Sequence, residues 1–436
     1  MNTAIIGGGY AGMAAAAELA GCGIPVTVFE SARQLGGRAR GVSYNDTQLD
    51  NGQHLLLGCY RQTLRMIEKV GGNIESDFLR VPLQLDLHGE FSMKAPRLPA
   101  PIHLLAALLV AKGLSPAARL NAARFMLELR RINFRLPGDM NVTDMLAQFG
   151  QDEDLTMKLW EPLCIAALNT PIRKASAQVM LNVLRDALNR SRADSDMLLP
   201  RIDFTALFPQ RAAEYVEQHG GKVRIACGVE ALQPFEDRIE ISTALGTEKY
   251  SHVICAAPPT VAAKLLRPIA AAAQTVAQID RLEHQPIYTL YLQYPDHVGL
   301  PHAMLGLHKR CSQWLFDKGR IAGQRGLIAA VISAEGTHQE MSQDQLAQKV
   351  IMELREEFGI AGQPLWVKVI AEKRATFCCS PNLQRPPQLT SLPRLMLAGD
   401  YTAGDYPATL EGAVMSGLKC AEALVRSSRS EAVYHA

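Results

Sequence analysis

The strongest constraint on the fold of this chain lies in its first thirty residues. A short apolar run at 3–6 leads directly into a glycine-rich segment at 7–12, and an Ala-rich helical pattern extends from there to Ala20. A second apolar run covers residues 26–29, and the acidic residue Glu30 follows it. A buried strand, a tight glycine turn, a helix and a second strand in this register predict a βαβ unit of the dinucleotide-binding type.

The glycines of segment 7–12 have separate physical roles in such a unit. Gly7 permits the tight turn, Gly9 lets the backbone approach a pyrophosphate at the positive end of the helix dipole, and Gly12 lets helix and strand pack closely. Glu30 is placed to accept hydrogen bonds from a ribose 2′-hydroxyl, which disfavours a 2′-phosphorylated nucleotide. The alternative for these residues is a glycine-rich turn without a ligand.

Length, charge and cysteine content narrow the class of protein. A chain of 436 residues is too long for one ordinary domain, so we expect two domains. The chain has 45 Lys+Arg against 43 Asp+Glu and no basic tract interleaved with aromatics, which gives no support to nucleic-acid binding. Its nine cysteines are odd in number and contain no C-x-x-C pattern. They are typical of reduced thiols in a cytosolic protein, without a disulfide framework or a metal site.

The apolar segments are short for a membrane protein. No run reaches the ~18 apolar residues that a bilayer-spanning helix needs. Glu18 interrupts the apolar N-terminal region and no basic stretch precedes it, so we expect no export signal. The longest apolar segment is 102–111. It is either a buried helix or a patch that enters one leaflet, and the second alternative gains weight if the substrate is a lipid.

The pattern along the chain predicts interleaved domains. Residues 96–189 are mainly helical in pattern, and strand-like runs return at 220–225, 253–259 and 395–398. Two later helices are expected, one over 342–358 with Ser342 as its cap and a last one over about 411–425. We expect the nucleotide domain to comprise residues 1–85, 210–270 and 390–436. A second, α+β domain for the substrate would comprise residues 86–209 and 271–389.

Motifs beyond the first thirty residues resemble those of known flavoproteins. With the N-terminal glycines, segments 35–38, 255–259, 398–400 and 410–414 resemble those of flavin-containing amine oxidases and phytoene desaturases. More narrowly, segments 50–58, 167–171 and 399–413 are similar to those of the squalene-associated FAD-dependent enzymes, the hydroxysqualene dehydroxylases of bacterial hopanoid synthesis. The resemblance covers nearly the whole chain. It implies an α/β fold, in which a Rossmann-like FAD-binding domain is interleaved with the α+β substrate domain.

The resemblance also implies which residues contact FAD. Arg38 would contact the diphosphate, the backbone of Val229 the adenine, and Asp400 the ribityl hydroxyls. The helix beginning at Leu410 would point its amides at the flavin and stabilise negative charge on the reduced ring. The cofactor-binding candidates are Gly7, Gly9, Ala11, Gly12, Glu30, Gly37, Arg38, Gly52, Gln53, Val229, Gly399, Asp400, Leu410, Glu411, Gly412 and Ala413.

Two departures from the amine oxidase pattern concern the reaction. Amine oxidases of this type carry a lysine on a substrate-domain strand that faces the flavin, and an aromatic residue before the terminal Glu-Gly-Ala-Val. The corresponding strand here, 284–294, has no lysine, and Thr409 replaces the aromatic residue. Amine oxidation is therefore disfavoured.

The narrower resemblance implies reduction of hydroxysqualene to squalene by hydride from reduced FAD. Protonation of the leaving hydroxyl needs a general acid, for which His54 and Asp50 are the candidates. Alternatively, Asp50 caps a loop and His54 packs against the cofactor. The remaining pocket need only be long, apolar and dry, since the substrate is a C30 isoprenoid. We expect a cytoplasmic enzyme that contacts the inner face of the membrane peripherally.

Other functions remain open from the sequence. A carotenoid or squalene desaturase would use the same scaffold with hydride flowing in the opposite direction. A non-enzymatic nucleotide-binding escort for lipids would keep the N-terminal glycines without needing segment 399–414, which is intact here. The chain has no second G-x-G-x-x-G, which disfavours a stably bound nicotinamide nucleotide. The electron donor would then be a carrier protein or free NAD(P)H.

Overall fold

A computed structural model describes the backbone of residues 1–434 and the side chains of residues 1–428. The strands, β1 to β20 in chain order, are Thr3–Ile6, Val26–Phe29, Gly41–Tyr44, Thr47–Asp50, Leu56–Leu57, Phe78–Val81, Gln84–Leu87, Phe91–Lys94, Met197–Pro200, Lys222–Arg224, Val229–Pro234, Ile239–Thr243, Gly246–Tyr250, His252–Cys255, His284–Gln293, Met304–Gly306, Trp314–Asp317, Leu327–Ser333, Trp366–Phe377 and Leu395–Leu397.

The α-helices, α1 to α16, are Tyr10–Gly21, Arg61–Lys69, Ile74–Asp77, Ile102–Leu109, Pro116–Arg131, Val142–Gln148, Glu153–Leu155, Glu161–Leu168, Ala177–Leu188, Phe204–Leu207, Pro209–Gln218, Pro259–Leu266, Ala273–Asp280, Lys318–Ala322, Gln343–Phe358 and Leu410–Tyr434. A π-helical turn at Thr156–Trp160 joins α7 to α8. Short 3₁₀ turns lie at Arg192–Ser195, Ala270–Ala272 and Thr337–Glu340.

A five-stranded parallel sheet forms the nucleotide-binding half. Its order is β10-β2-β1-β14-β20, so its strands come from the beginning, the middle and the end of the chain. The residues of β1, β2 and β14 are buried, which is expected of central strands in a parallel sheet covered on both faces. Helix α1 packs against α11 and α16. The predicted α/β fold with a Rossmann-like domain is confirmed.

A mixed seven-stranded sheet forms the second half, in the order β19-β15-β18-β17-β16-β7-β8. Alternate residues of its central strands point to opposite faces, as in any pleated sheet. Leu290 and Ile328 pack with Leu354 of α15 on one face, whereas Tyr291 and Ala329 join the main hydrophobic core on the other. This sheet and the helical layer α4–α9 therefore share one core.

Three smaller sheets complete the strand arrangement of the described residues. Strands β5, β9 and β6 form one, β3 and β4 a second, and β11 to β13 a third. Strand β7, at residues 84–87, pairs with β16 and so belongs to the seven-stranded sheet. A domain boundary after residue 85 would divide that strand. The proposed division at residues 1–85, 86–209, 210–270, 271–389 and 390–436 stays a prediction.

Candidate functional site

The turn between β1 and α1 is built by glycines that protein atoms crowd. Gly7 has a φ of +109°, and a Cβ added there would lie 2.7 Å from the Ala256 carbonyl oxygen. A Cβ on Gly12 would lie 2.0 Å from the Gly7 carbonyl oxygen, which rules out a side chain without backbone movement. Ala11, between them in the first turn of α1, is buried against α16, where a Cβ on Gly417 would meet its carbonyl oxygen at 2.1 Å. These residues therefore fix the strand–helix geometry.

Gly9 differs from its neighbours because protein atoms do not crowd it. A Cβ there would have the Gly37 Cα as its nearest neighbour, at 3.9 Å, and the Gly36 oxygen at 4.0 Å. The protein alone thus leaves room for a side chain at this position. An open backbone at the N-terminus of α1 is the geometry that an approaching pyrophosphate needs.

Glu30 directly follows β2 and lies beside this turn. Its carboxylate accepts hydrogen bonds from the Gly8 amide at 2.7 Å and from the Ala32 amide at 2.7 Å, and the residue is buried. The Cys227 amide donates to the Glu30 carbonyl oxygen at 2.8 Å. The structure therefore brings the start of β11, with Val229, next to Glu30.

Arg38 connects the glycine loop to the C-terminal motif. Its Nη2 donates to Asp400 Oδ1 at 2.5 Å, and its Nη1 donates to the Ala375 carbonyl oxygen at 2.7 Å. Gly37, the residue before it, lies against the turn, where a Cβ would be 3.4 Å from the Gly9 Cα. The structure thus gathers residues from the first and last tenths of the chain.

The C-terminal motif begins at Gly399, whose φ of +150° strongly favours glycine, and the buried Asp400 follows it. At the start of α16, Thr409 Oγ1 accepts a hydrogen bond from the Gly412 amide at 3.1 Å. The threonine that replaces the aromatic residue therefore caps this helix. The predicted contacts of Leu410 and Ala413 with flavin stay predictions.

Glu411 has a structural role that the sequence motif did not indicate. Its carboxylate accepts hydrogen bonds from the Gln62 amide at 2.9 Å, the Thr63 amide at 2.8 Å and Thr63 Oγ1 at 2.7 Å. The side chain thereby satisfies the first amides of α2, and the negative charge lies at the positive end of that helix. Glu411 consequently anchors α16 to α2 through its side chain.

The last residue of β4, Asp50, and the loop that follows it carry the two acid candidates. The loop lies beside Arg38, because Asn51 Nδ2 donates to the Arg38 carbonyl oxygen at 3.3 Å. Asp50 is buried, and its Oδ1 accepts a hydrogen bond from the Phe204 amide at 2.9 Å. Burial raises the pKa of the Asp50 carboxyl to about 7, even though the positive charge of Lys318 lowers it. Near neutral pH this carboxyl is thus able to hold or release a proton.

His54 is in a different electrostatic state. Its ring contacts Phe204 edge to face, with ring centroids 5.1 Å apart. Burial, together with the positive charge of the nearby Arg38, lowers the pKa of His54 to about 4. At neutral pH the imidazole is therefore uncharged and is a poor proton donor. It can still make hydrogen bonds, and a Cβ placed on Gly52 would lie 3.7 Å from both its Nε2 and Thr289 Oγ1.

A buried lysine reaches this loop from the substrate half. Lys318 begins α14, and its Nζ donates to Gln53 Oε1 at 3.3 Å. The backbone N–H of Gln53 donates to Thr289 Oγ1 at 3.3 Å. Burial lowers the pKa of Lys318, and Asp50 opposes that shift. Strand 284–294 has no lysine, and the amine oxidase pattern gave no indication of Lys318, although its place directly after β17 was a visible signal.

The cysteines and the apolar segment can also be located. All nine cysteines are free and seven of them are buried. Among the side chains that the structure describes, those of residues 1–428, no cluster of three His, Cys, Asp or Glu is suited to a metal ion. In segment 102–111, Leu104 and Leu108 are buried, whereas Ile102 and Leu109 are about half exposed. No helix among the described residues combines the length and apolar character needed to cross a bilayer.

Comparison with known proteins places the chain in a family. A family model described as flavin containing amine oxidoreductase matches residues 10–425. A hydroxysqualene dehydroxylase from Rhodopseudomonas palustris is 28% identical over 98% of this chain and 99% of its own length. A zeta-carotene desaturase from Arabidopsis thaliana is 23% identical over 96% of this chain and 84% of its own length. The cyclohexylamine oxidase of Brevibacterium oxydans has a similar fold, with a TM-score of 0.73 and 15% identity over 98% of this chain and 99% of that one.

These matches agree with the geometry of the site. The open backbone at Gly9, the Glu30 carboxylate and the Arg38–Asp400 pair fit FAD, and the family is described as flavin containing. The alternative of a non-enzymatic lipid escort is set aside, because the match to a family of oxidoreductases extends over nearly the whole chain. The chain belongs to the family of flavin-containing amine oxidoreductases and is an FAD-dependent oxidoreductase.

Proposed function

We propose that the protein reduces hydroxysqualene to squalene, a step of squalene and hopanoid biosynthesis. The observation that carries this proposal is the similarity over the full length to the Rhodopseudomonas palustris hydroxysqualene dehydroxylase. In this reaction a C–O bond breaks next to an alkene that stabilises the cation. The oxygen takes up a proton and leaves as water, and bound, reduced FAD supplies a hydride from its N5 atom to the carbon.

The proton would come from Asp50. Of the two candidates, only Asp50 has a pKa near neutrality, about 7 against about 4 for His54. A general acid is most effective when its pKa lies near the working pH. The neutral His54 would act as a hydrogen-bonding group beside the reacting region. Its role as the general acid, expected from the sequence, is therefore the weaker hypothesis.

The cofactor would extend from Glu30 to the loop that contains Gly52. Gly9 would accommodate the pyrophosphate, Arg38 would neutralise its charge, and Asp400 would accept hydrogen bonds from the ribityl chain while paired with Arg38. This pairing, at 2.5 Å, keeps the guanidinium in place without a ligand. FAD must be reduced between turnovers, so two electrons per product have to come from an external carrier protein or a nicotinamide nucleotide.

The substrate and product are C30 hydrocarbons that partition into bilayers. We propose that the enzyme works in the cytoplasm and contacts the inner face of the membrane peripherally, because the product would otherwise have to cross water. The half-exposed side chains of α4, Ile102 and Leu109, support this contact. Leu105, part-buried against the main core, contributes more to packing than to such a contact.

Desaturation of a carotenoid or of squalene is the competing function, supported by the similarity to the Arabidopsis thaliana zeta-carotene desaturase. The deciding test is a single turnover under oxygen-free conditions. Reduced holoenzyme mixed with hydroxysqualene should yield squalene as its flavin is oxidised, with one added deuterium when the flavin carries deuterium at N5. Squalene should not reduce the oxidised enzyme. New double bonds formed by the oxidised enzyme, with hydroxysqualene left unconsumed by the reduced one, would establish the desaturase instead.

A further inference from the structure

One segment of this protein has a large local excess of positive charge. Residues 94–135 contain eight Lys and Arg residues and a single acidic residue, Glu128, whereas the whole chain is nearly balanced at 45 to 43. Glu128 pairs with the exposed Arg131, with 2.8 Å between Oε2 and Nε. Exposed pairs of this kind contribute little and leave most of the positive charge of the segment uncompensated.

The same segment exposes large apolar side chains. Six of the fifteen large hydrophobic residues that are exposed among the described residues fall between positions 98 and 127. Val110 is 65% exposed, Ile102 52%, Leu127 51% and Leu109 48%, and Leu98 and Leu120 are close to 40%. A concentration of exposed apolar residues with a basic rim marks an interaction surface.

The basic and apolar residues share one face of the helical layer. On α5 the exposed positions Leu120, Arg124, Leu127 and Arg131 follow each other at helical spacing, while the opposite side of the helix is buried. Helix α4 packs against α5, and Leu127 and Arg130 line a groove with Leu105 of α4. We call this surface, formed by the exposed residues of α4, the adjoining Val110 and the exposed residues of α5, the α4–α5 face.

We propose that the α4–α5 face docks on a lipid bilayer that carries anionic headgroups. Leucines at the level of the acyl chains and arginines at the level of the phosphates are the pattern of an interfacial helix that prefers negatively charged membranes. A nucleic acid would use the arginines but would leave the leucines in water. The inference deepens the proposed membrane contact and rests on the proposed lipid substrate only for its biological purpose.

The test is co-sedimentation of the full-length holoenzyme with vesicles. Binding should be much stronger to phosphatidylcholine mixed with phosphatidylglycerol than to phosphatidylcholine alone, and it should weaken as salt is added. The variant Arg124→Gln/Arg130→Gln should bind mixed vesicles roughly 30-fold more weakly, from the usual contribution of two basic residues near a charged surface. Leu109→Ser/Val110→Ser should weaken binding to both vesicle types.

Matched controls come from exposed residues elsewhere. Lys349→Gln/Arg355→Gln on α15 removes the same charge, and Leu245→Ser/Leu365→Ser removes exposed leucines, so neither should alter vesicle binding. Equal binding to both vesicle types, or loss of binding in the controls, would overturn the proposal. So would binding to DNA that competes with vesicles and is insensitive to Leu109→Ser/Val110→Ser.

The test of membrane docking can be distinguished from the test of hydroxysqualene reduction. With hydroxysqualene dispersed in detergent, Arg124→Gln/Arg130→Gln should turn over at the wild-type rate, because this variant changes only the docking surface. If the holoenzyme binds anionic vesicles but leaves hydroxysqualene unconsumed, the proposed reaction fails and the docking surface stands. If it consumes hydroxysqualene without preferring anionic vesicles, the docking proposal fails alone.

Discussion

The turn after β1 and segment 50–54 lie close together, but backbone atoms form the first and ionisable side chains form the second. The turn exposes backbone atoms. Gly7 and Gly12 leave no room for a Cβ beside the neighbouring protein atoms, and Gly9 leaves an open backbone. The segment presents buried ionisable side chains, Asp50 and His54, and receives Lys318 from the substrate half. Backbone amides carry partial charges that do not titrate, whereas buried side chains change charge with pH. One region should therefore respond to added volume and the other to added or removed charge.

The largest expected effect comes from adding volume at the turn. Gly12→Val should prevent stable folding, because the Cβ alone would overlap the Gly7 carbonyl oxygen at 2.0 Å. Gly9→Val should fold but fail to bind FAD, because the protein atom nearest to the added Cβ would be 3.9 Å away, whereas the side chain would occupy the space that the pyrophosphate needs. Circular dichroism and the flavin absorbance distinguish the two outcomes. Full FAD occupancy in Gly9→Val would show that the pyrophosphate does not bind beside Gly9.

The next effect concerns the charge at the loop. Asp50→Asn should slow the single-turnover reaction of reduced enzyme with hydroxysqualene by roughly 10²- to 10⁴-fold, the usual contribution of a general acid. FAD affinity should change little, because the amide can still accept the hydrogen bond from Phe204. His54→Ala should slow the reaction less, since the neutral ring is not the donor. The reverse ranking of the two variants would restore His54 as the acid.

A third, smaller effect applies to the carboxylate that supports the turn. Glu30→Gln should weaken FAD binding by about 1 to 3 kcal/mol, the usual cost of a charge-assisted hydrogen bond. Glu353 is the matched control, because its buried carboxylate also accepts two backbone amides, those of Cys311 and Ser312. Glu353→Gln should lower stability without affecting the dissociation constant of FAD. An unchanged constant for Glu30→Gln would show that Glu30 only braces Gly8 and Ala32.

The smallest effect is a displacement of the pH profile. The single-turnover rate should fall above pH of about 7, because the pKa of Asp50 is about 7 and its protonated form is the donor. Lys318→Met removes a positive charge that lowers the pKa of Asp50, so the decline should move by roughly 1 to 2 units to higher pH. Lys318→Arg, which keeps the charge, should leave the profile near that of the wild type. An identical pH dependence of the rate in all three proteins would show that Asp50 does not donate the proton.

The same contrast explains what could be predicted from the sequence. Local rules located β2 at Val26–Phe29 and placed Ser342 as the cap of α15, which begins at Gln343 and ends at Phe358. The last helix was predicted to be shorter than the observed α16, Leu410–Tyr434. These features depend on a few neighbouring residues, and turn geometry or capping chemistry dictates them.

Contacts at the loop were beyond such rules. The hydrogen bond of Asp50 to the Phe204 amide joins residues 154 positions apart, and that of Lys318 to Gln53 joins residues 265 positions apart. The capping of α2 by Glu411 spans 348 positions to Thr63. The hydrophobic periodicity of the sequence does not indicate which buried charged side chain contacts which loop, because these contacts depend on how the two halves pack. The pKa values of Asp50 and His54 depend on that packing.

The Arg38–Asp400 pair has a consequence for how the protein is made. The two residues are 362 positions apart, and α16 packs against α1 at the opposite end of the sequence. Because synthesis proceeds from the N-terminus, the glycine turn leaves the ribosome long before its partners exist. We therefore expect FAD to load only after Asp400 and α16 have been released, so that a nascent chain stalled before Asp400 would hold an incomplete site in which α1 lacks its contact with α16. In the cell, premature termination near the C-terminus would thus yield apoprotein that needs chaperone protection.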